Sequence, residues 1–143
     1  SGELGRMAVA IAPSDSDRVY LTVEASEKED KGLYRSDDGG KTWENKGLKE
    51  TVLISKVIVD PTDTNTIYVA AMGHMHGPQA ERGVYKTVDG GNHWERILFV
   101  DANTGCSDLS LNEKEEVFPI TFRSWNLHRP SMISIAIPSL KYS

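Results

Sequence analysis

The chain has 143 residues, 38% of them apolar and 26% charged, with a net charge of −5. That length bounds one domain with a sizeable core, and the balance of apolar to charged residues excludes a disordered chain. Positive and negative side chains are interspersed with no basic stripe, which argues against nucleic acid or an anionic membrane surface as partner, and no apolar run is long enough to span a bilayer.

No signal peptide is visible, and the start at Ser1-Gly2 rather than Met points to a processed end or a piece of a longer protein. Cys106 is the only cysteine, so there is no internal disulfide; it reads as a small strand residue rather than a nucleophile.

In Gly5 to Ala12, Met7, Val9 and Ile11 alternate with Ala8, Ala10 and Ala12. The period of two predicts a strand packed on both sides, with the alanine face short of space. Pro13 to Asp17 is a turn cluster, and Arg18 to Glu24 a second strand. Glu27 to Lys31 is a charged loop, Gly32 to Arg35 a third strand, and Trp43 to Lys46 opens a fourth. The order then recurs. Ile54 to Asp60 is a first strand, Pro61 to Asn65 its turn, Thr66 to Ala71 a second, Gly83 to Lys86 a third and Trp94 to Leu98 a fourth. Pro13 aligns with Pro61 and Tyr20 with Tyr68 at an offset of 48. Between the second and third strands the later unit gains the insertion Gly73 to Ala80.

Between the third and fourth strands stand two copies of one pattern, Ser/Thr-x-Asp-x-Gly-x-x-Trp. The first is Ser36, Asp38, Gly40 and Trp43; the second is Thr87, Asp89, Gly91 and Trp94, 51 residues on. Such a period marks an array of like units. The aspartates accept from backbone N–H groups a few residues on, Ser36 and Thr87 add a second bond, and the paired glycines supply positive φ. Trp43 and Trp94 then lay a large apolar surface on a neighbouring unit. Asp38 and Asp89 are therefore turn formers and not catalytic carboxylates.

This pattern resembles the Asp-box, or BNR repeat, which joins the third and fourth strands of a β-propeller blade. The resemblance implies an all-β fold of four-stranded antiparallel blades, with the boxes at the periphery. Gly5-Arg6, Ala12-Pro13-Ser14, Asp60-Pro61-Thr62, Gly73 to Pro78 and Glu81 to Thr87 narrow it to bacterial proteins similar to the sortilin (VPS10) propeller and often labelled glycosyl hydrolase. It covers about 5–112. On this reading 1–143 is a single partial propeller domain, with blade one at 5–47, blade two at 52–99 and an irregular third unit at 105–143. No glycine occurs from Cys106 onward, so no further box can be written there, and Pro119, Pro130 and Pro138 punctuate the last strand-like runs. Two blades and part of a third do not close a ring, so the chain is expected to be a fragment of a larger propeller or a subunit whose copies associate to complete one. For many members the resemblance implies export, periplasmic or extracellular.

Arg6 opens the innermost strand, which in propellers faces the central channel. His74 and His76 sit two apart in a glycine-bracketed loop and would share a face if extended, yet only Glu81 and His93 offer themselves as further ligands, so no metal site is assigned and no cofactor is expected. A glycoside hydrolase needs two carboxylates across a groove. Asp60 and Asp101 are the weak candidates, although Asp60 precedes Pro61 and reads better as a turn cap. A sialidase reading would draw on Arg6, Arg82 and Arg123, but the Arg-Ile-Pro signature is missing. Tyr20, Tyr34, Tyr68 and Tyr85 read as inter-blade core rather than a sugar platform. The expectation is a module that binds a protein, peptide or glycan ligand through Arg6, His74, His76 and Glu81. The rival is a sialidase- or xyloglucanase-like hydrolase, or a piece of one.

Overall fold

In a computed structural model, residues 4–25, 30–51, 53–73, 78–111, 117–123 and 132–134 are described. They form three antiparallel sheets, each a simple meander. The first joins β1 (Leu4–Ala12), β2 (Asp15–Ala25), β3 (Gly32–Ser36) and β4 (Glu44–Asn45) in that order. The second joins β5 (Ile54–Asp60), β6 (Asp63–Ala71), β7 (Gly83–Thr87) and β8 (Glu95–Leu98). The third has β9 (Thr104–Leu111), β10 (Val117–Arg123) and β11 (Met132–Ser134), with β10 in the centre. A 3-10 turn, Lys49–Thr51, lies between the first two sheets. The first two sheets are propeller blades, and the fold is all-β.

The sheets stack because each buries one apolar face on its neighbour. Val59 and Ile67 of the second sheet close on Ala12, Tyr20 and Leu33 of the first, with Ala10, Val57 and Trp94 packed around them. Tyr68, Ala70 and Val84 on the other side of the second sheet meet Cys106 and Leu109 of β9. The alanine face of β1 thus makes room for the second sheet. The opposite face of β1 departs from the expectation of a strand packed on both sides: Met7, Val9 and Ile11 are 52%, 63% and 58% exposed.

Other differences have local causes. The stretches read as turns, Asp15 to Asp17 and Asp63 to Asn65, lie in strands. Asp15 already pairs with Ala12 and Asp63 with Asp60, so the reversals occupy two residues each. The aspartates pull the chain tight by accepting from the backbone two residues on, at 3.0 Å from Asp17 and 2.9 Å from Asn65. Pro119 lies inside β10, opposite Leu109, and does not end the strand.

Both boxes fold alike. The Gly40 N–H donates to Ser36 Oγ at 2.8 Å, and the Ser36 hydroxyl donates to Asp38 Oδ1 at 2.7 Å. Asp38 Oδ1 also accepts from the N–H groups of Lys41 and Thr42. In the second box Gly91 N–H donates to Thr87 Oγ1 at 3.0 Å, and Asp89 Oδ1 accepts from His93 N–H at 2.9 Å. The Thr42 hydroxyl occupies the second oxygen of Asp38, and the His93 ring that of Asp89.

Trp94 leaves its own sheet and reaches back to the first, its indole N–H donating to the Lys46 carbonyl at 2.8 Å. Around it runs a polar clasp. Tyr20 OH donates to the Thr64 carbonyl at 2.6 Å, Arg18 to Asn65 Oδ1 at 2.8 Å and Arg35 to the Gly90 carbonyl at 3.0 Å. Asp37 pairs with both arginines and holds them in place. Gly90 (φ 70°) lies so close to Arg35 that a Cβ there would collide with the guanidinium.

Two outcomes are expected. Trp94→Ala should lower stability by about 3 kcal/mol, because it empties an inter-sheet contact. Trp43→Ala, whose ring is 39% exposed, should cost less than about 1 kcal/mol. Urea unfolding followed by circular dichroism separates the two, and equal losses would refute the assigned packing. The second outcome concerns acid. The Thr42 hydroxyl and the backbone around it hold the Asp38 carboxyl well below the usual carboxylate range, and His93, through its backbone and ring, does the same for Asp89. A carboxyl lowered by folding stabilises the fold above its unfolded pKa of about 4, and that stabilisation fades as pH falls below it. Asp38→Asn and Asp89→Asn should each flatten the decline in melting temperature between about pH 4 and pH 2.

Candidate functional site

The β6–β7 connection of blade two is tied by its stems to both neighbouring inter-sheet linkers. Residues 74–77, and with them His74 and His76, lie outside the described residues; both stems of the connection are described. On the first stem, the N–H groups of Met72 and Gly73 donate to the Leu53 carbonyl. On the second, Gln79 spans both inter-sheet linkers: its backbone N–H donates to the Ala102 carbonyl at 2.7 Å and its side-chain amide to the Glu50 carbonyl at 2.8 Å. Tyr85 OH donates to the Glu81 carbonyl at 2.8 Å, and the Arg96 guanidinium holds the Ala80 carbonyl.

Arg82 ties the two stems together. It is fully buried, and its Nη1 donates to the Met72 carbonyl at 2.9 Å. Burial pulls its pKa down, and nearby Asp101 opposes that pull. Gly73 (φ 74°) is held against this guanidinium, and a Cβ there would lie 2.6 Å from Gln79 Oε1 and 2.9 Å from Arg82 Cγ. Beside the second stem lies an open groove of about 400 Å³ lined by residues 47–51, Glu81 and Tyr85. Lys49, Glu50 and Glu81 give it charge of both signs, and Leu48 and Tyr85 give it apolar surface.

The sequence candidates are dispersed. Glu81 lines the groove, while Arg6 lies in β1, with its side chain outside the described residues. Asp60 is buried and accepts from the Thr62 N–H and hydroxyl, both at 2.8 Å. Asp101 accepts from Asn103 N–H at 2.8 Å and Thr104 hydroxyl at 2.9 Å. The structure does not bring these two carboxylates together. The Ser55 hydroxyl donates to the Cys106 carbonyl, which sets the start of β9 beside the start of β5. Asp101 precedes that start, whereas Asp60 closes β5 five residues beyond Ser55, roughly 17 Å along the strand. Paired carboxylates of glycosidases stand about 5–9.5 Å apart.

Lys86 lies near Asp60 and Glu95 with its ammonium 5.3 Å from the centre of the Tyr68 ring, and burial lowers its pKa. His93 is engaged with Asp89 at the outer hairpin, its Nδ1 2.6 Å from Oδ2. Among the described residues no three His, Cys, Asp or Glu side chains gather as a metal would require. Tyr20 and Tyr68 are buried between sheets, but Tyr34 and Tyr85 are half-buried, and their hydroxyls tie down the loop preceding their own strands. Sequence reasoning passed over Gln79 and gave Arg82 no structural part. An arginine and a glutamine in a polar loop carry no local sign of burial, and both are buried by linkers distant in sequence.

The chain matches no protein-family model. It is 31% identical over 105 residues, 68% of its own length, to the oligoxyloglucan-reducing end-specific xyloglucanase of Emericella nidulans, of which it spans 12%. It is 33% identical over 78 residues, 54% of its length, to vacuolar protein sorting/targeting protein 10 of Kluyveromyces lactis, of which it spans 5%. Among solved structures, the GH74 enzyme of Niastella koreensis superposes on 92% of the chain with a TM-score of 0.69 and 19% identity, and the chain spans 19% of that protein. The chain thus corresponds to a small part of each relative. With two four-stranded Asp-box sheets packed face to face, it is an Asp-box repeat β-propeller segment related in sequence to VPS10 and to the xyloglucanases.

Proposed function

We propose that the chain is a binding segment of an Asp-box propeller, with the β6–β7 loop as its ligand-facing element and no hydrolysis of its own. The observation that carries this reading is the anchoring of that loop. The stems on either side of residues 74–77 are fixed by bonds to Leu53, Ala102 and Glu50 and by the buried Arg82. A mixed polar and apolar groove beside these anchored stems suits recognition of a peptide or a glycan. The carboxylates Asp38, Asp60, Asp89 and Asp101 are all engaged in local turns, which supports a role without catalysis. VPS10 similarity favours a protein or peptide ligand.

The second reading, a piece of a glycan hydrolase, rests on the similarity to a xyloglucanase and to a GH74 enzyme. One experiment separates the two. The chain is titrated with xyloglucan oligosaccharides and with an immobilised peptide library, and the oligosaccharides are re-examined for new reducing ends. Binding should leave the ligand intact and weaken roughly tenfold, about 1.4 kcal/mol, in a His74→Ala, His76→Ala double variant of unchanged melting temperature. Release of reducing ends that stops in Asp101→Asn would assign the hydrolase reading instead.

A further inference from the structure

Each Asp-box contains the dipeptide Asp-Gly, as Asp38-Gly39 in the first and Asp89-Gly90 in the second. Asp-Gly is the aspartyl sequence most open to isomerisation, because glycine has no side chain to shield its amide nitrogen or to restrict its approach. In that reaction the glycine nitrogen gives up its proton and bonds to the aspartate Cγ, and the hydroxyl of the protonated carboxyl leaves as water. Water then opens the five-membered imide at either carbonyl. One opening restores aspartate. The other leaves isoaspartate, in which the main chain runs through Cβ and Cγ and the free carboxylate sits on Cα. One water is lost and one is gained, and nothing is oxidised or reduced.

The closed box holds both reacting groups. The Gly39 N–H donates to the Asp17 carbonyl and the Gly90 N–H to the Asn65 carbonyl, both at 3.0 Å. The proton that must leave is therefore engaged by a neighbouring strand. Asp38 accepts from the Ser36 hydroxyl, the N–H groups of Lys41 and Thr42, and the Thr42 hydroxyl. Asp89 accepts from the Thr87 hydroxyl and the His93 N–H, and its second oxygen faces the His93 ring. These donors keep both carboxyls ionised, and an ionised carboxylate has no hydroxyl to release as water.

The two boxes differ in what covers their glycines. Gly90 and Gly91 are buried, whereas Gly39 is exposed and Gly40 half-buried. Arg35 of the first sheet donates to the Gly90 carbonyl at 3.0 Å, and Lys46 lies against Gly91 with its ammonium 3.0 Å from Asn92 Oδ1. Opening the second box breaks bonds to another sheet as well as its own. Among the described residues the bonds of the first box all lie within the first sheet.

We infer that Asp38-Gly39 is a site of spontaneous isoaspartate formation in the folded chain, gated by opening of the first Asp-box, and that the seam between the sheets protects Asp89-Gly90 from the same reaction. Local opening frees the Gly39 amide and the Asp38 carboxyl together. Isoaspartate then lengthens the main chain by one methylene and moves the carboxylate off Cβ, so the turn that Asp38 closes does not re-form. This inference is independent of the ligand-binding role of the β6–β7 loop.

The test ages the full chain for weeks at mildly acid pH and body temperature, folded and in urea. Isoaspartate at each dipeptide is read by peptide mapping with electron-transfer fragmentation. Total isoaspartate is read by methyl transfer from S-adenosylmethionine with an isoaspartyl methyltransferase. In urea the two sites should react alike. In the folded chain Asp38 should isomerise about tenfold faster than Asp89, and both more slowly than in urea. Thr42→Val, which removes a donor from Asp38, should raise the rate at Asp38 alone. Arg35→Met, which uncovers Gly90, should raise the rate at Asp89. Equal rates at the two sites of the folded chain, a faster rate at Asp89, or no isoaspartate at Asp38 would overturn the proposal. So would an Arg35→Met chain of unchanged melting temperature whose Asp89 stays as slow as before, since the seam would then not be what protects it.

Discussion

Everything in this molecule depends on the seam between the first and second sheets. A four-stranded sheet has two faces and no closed core of its own, so it folds only by lending a face to a neighbour. Here the loan is specific. Two alanines of β1 leave a shallow bed, Val57, Val59 and Ile67 fill it, and Trp94 crosses over to bond Lys46. Apolar burial supplies the drive, and the arginine–tyrosine clasp to Thr64, Asn65 and Gly90 sets the register at which the faces meet.

The Asp-box has its place in that scheme. Its internal bonds fold the hairpin so that tryptophan emerges at the sheet margin and can reach the previous blade. The carboxylate is consumed by backbone and hydroxyl donors, which gives it a depressed pKa for a structural reason. A perturbed carboxyl is therefore a poor guide to catalysis in this chain. The second seam, between the second sheet and β9, uses different chemistry. Thr66 and Lys86 stand where the first blade has Arg18 and Arg35, and Lys86 lies against Tyr68. The repeat preserves the apolar faces more closely than the polar clasps.

The candidate site grows from the same architecture. The linkers that carry the chain from one sheet to the next pass beside the β6–β7 connection, and Gln79 joins that connection to both. Arg82 and Gly73 close its base. The described stems of the connection are thereby held against two sheet boundaries at once.

Much of this was legible in the residues. The strand order, both hairpins, the turn role of Asp38 and Asp89, the paired positive-φ glycines and the crowded alanine face of β1 all follow from local chemistry. So does the turn-capping role of Asp60, since Asp-Pro-Thr already carries its own acceptor and donors. Local pattern misplaced Asp15 and Asp63, because polar residues read as turn even where a two-residue reversal leaves them paired in the ladder. It also could not tell Trp43 from Trp94, or Val9 from Val57, because the two sets are equivalent in sequence and differ only in what lies against them. Nor could it show Arg82 as a buried tie, or place Asp60 at the end of β5 and Asp101 in the connection ahead of β9. By itself the sequence determined the blade, since hairpin chemistry and strand period are properties of neighbours along the chain. Only the tertiary structure decided which faces are covered, which charges are buried and which carboxylates meet, because those depend on residues about fifty positions apart being brought into contact.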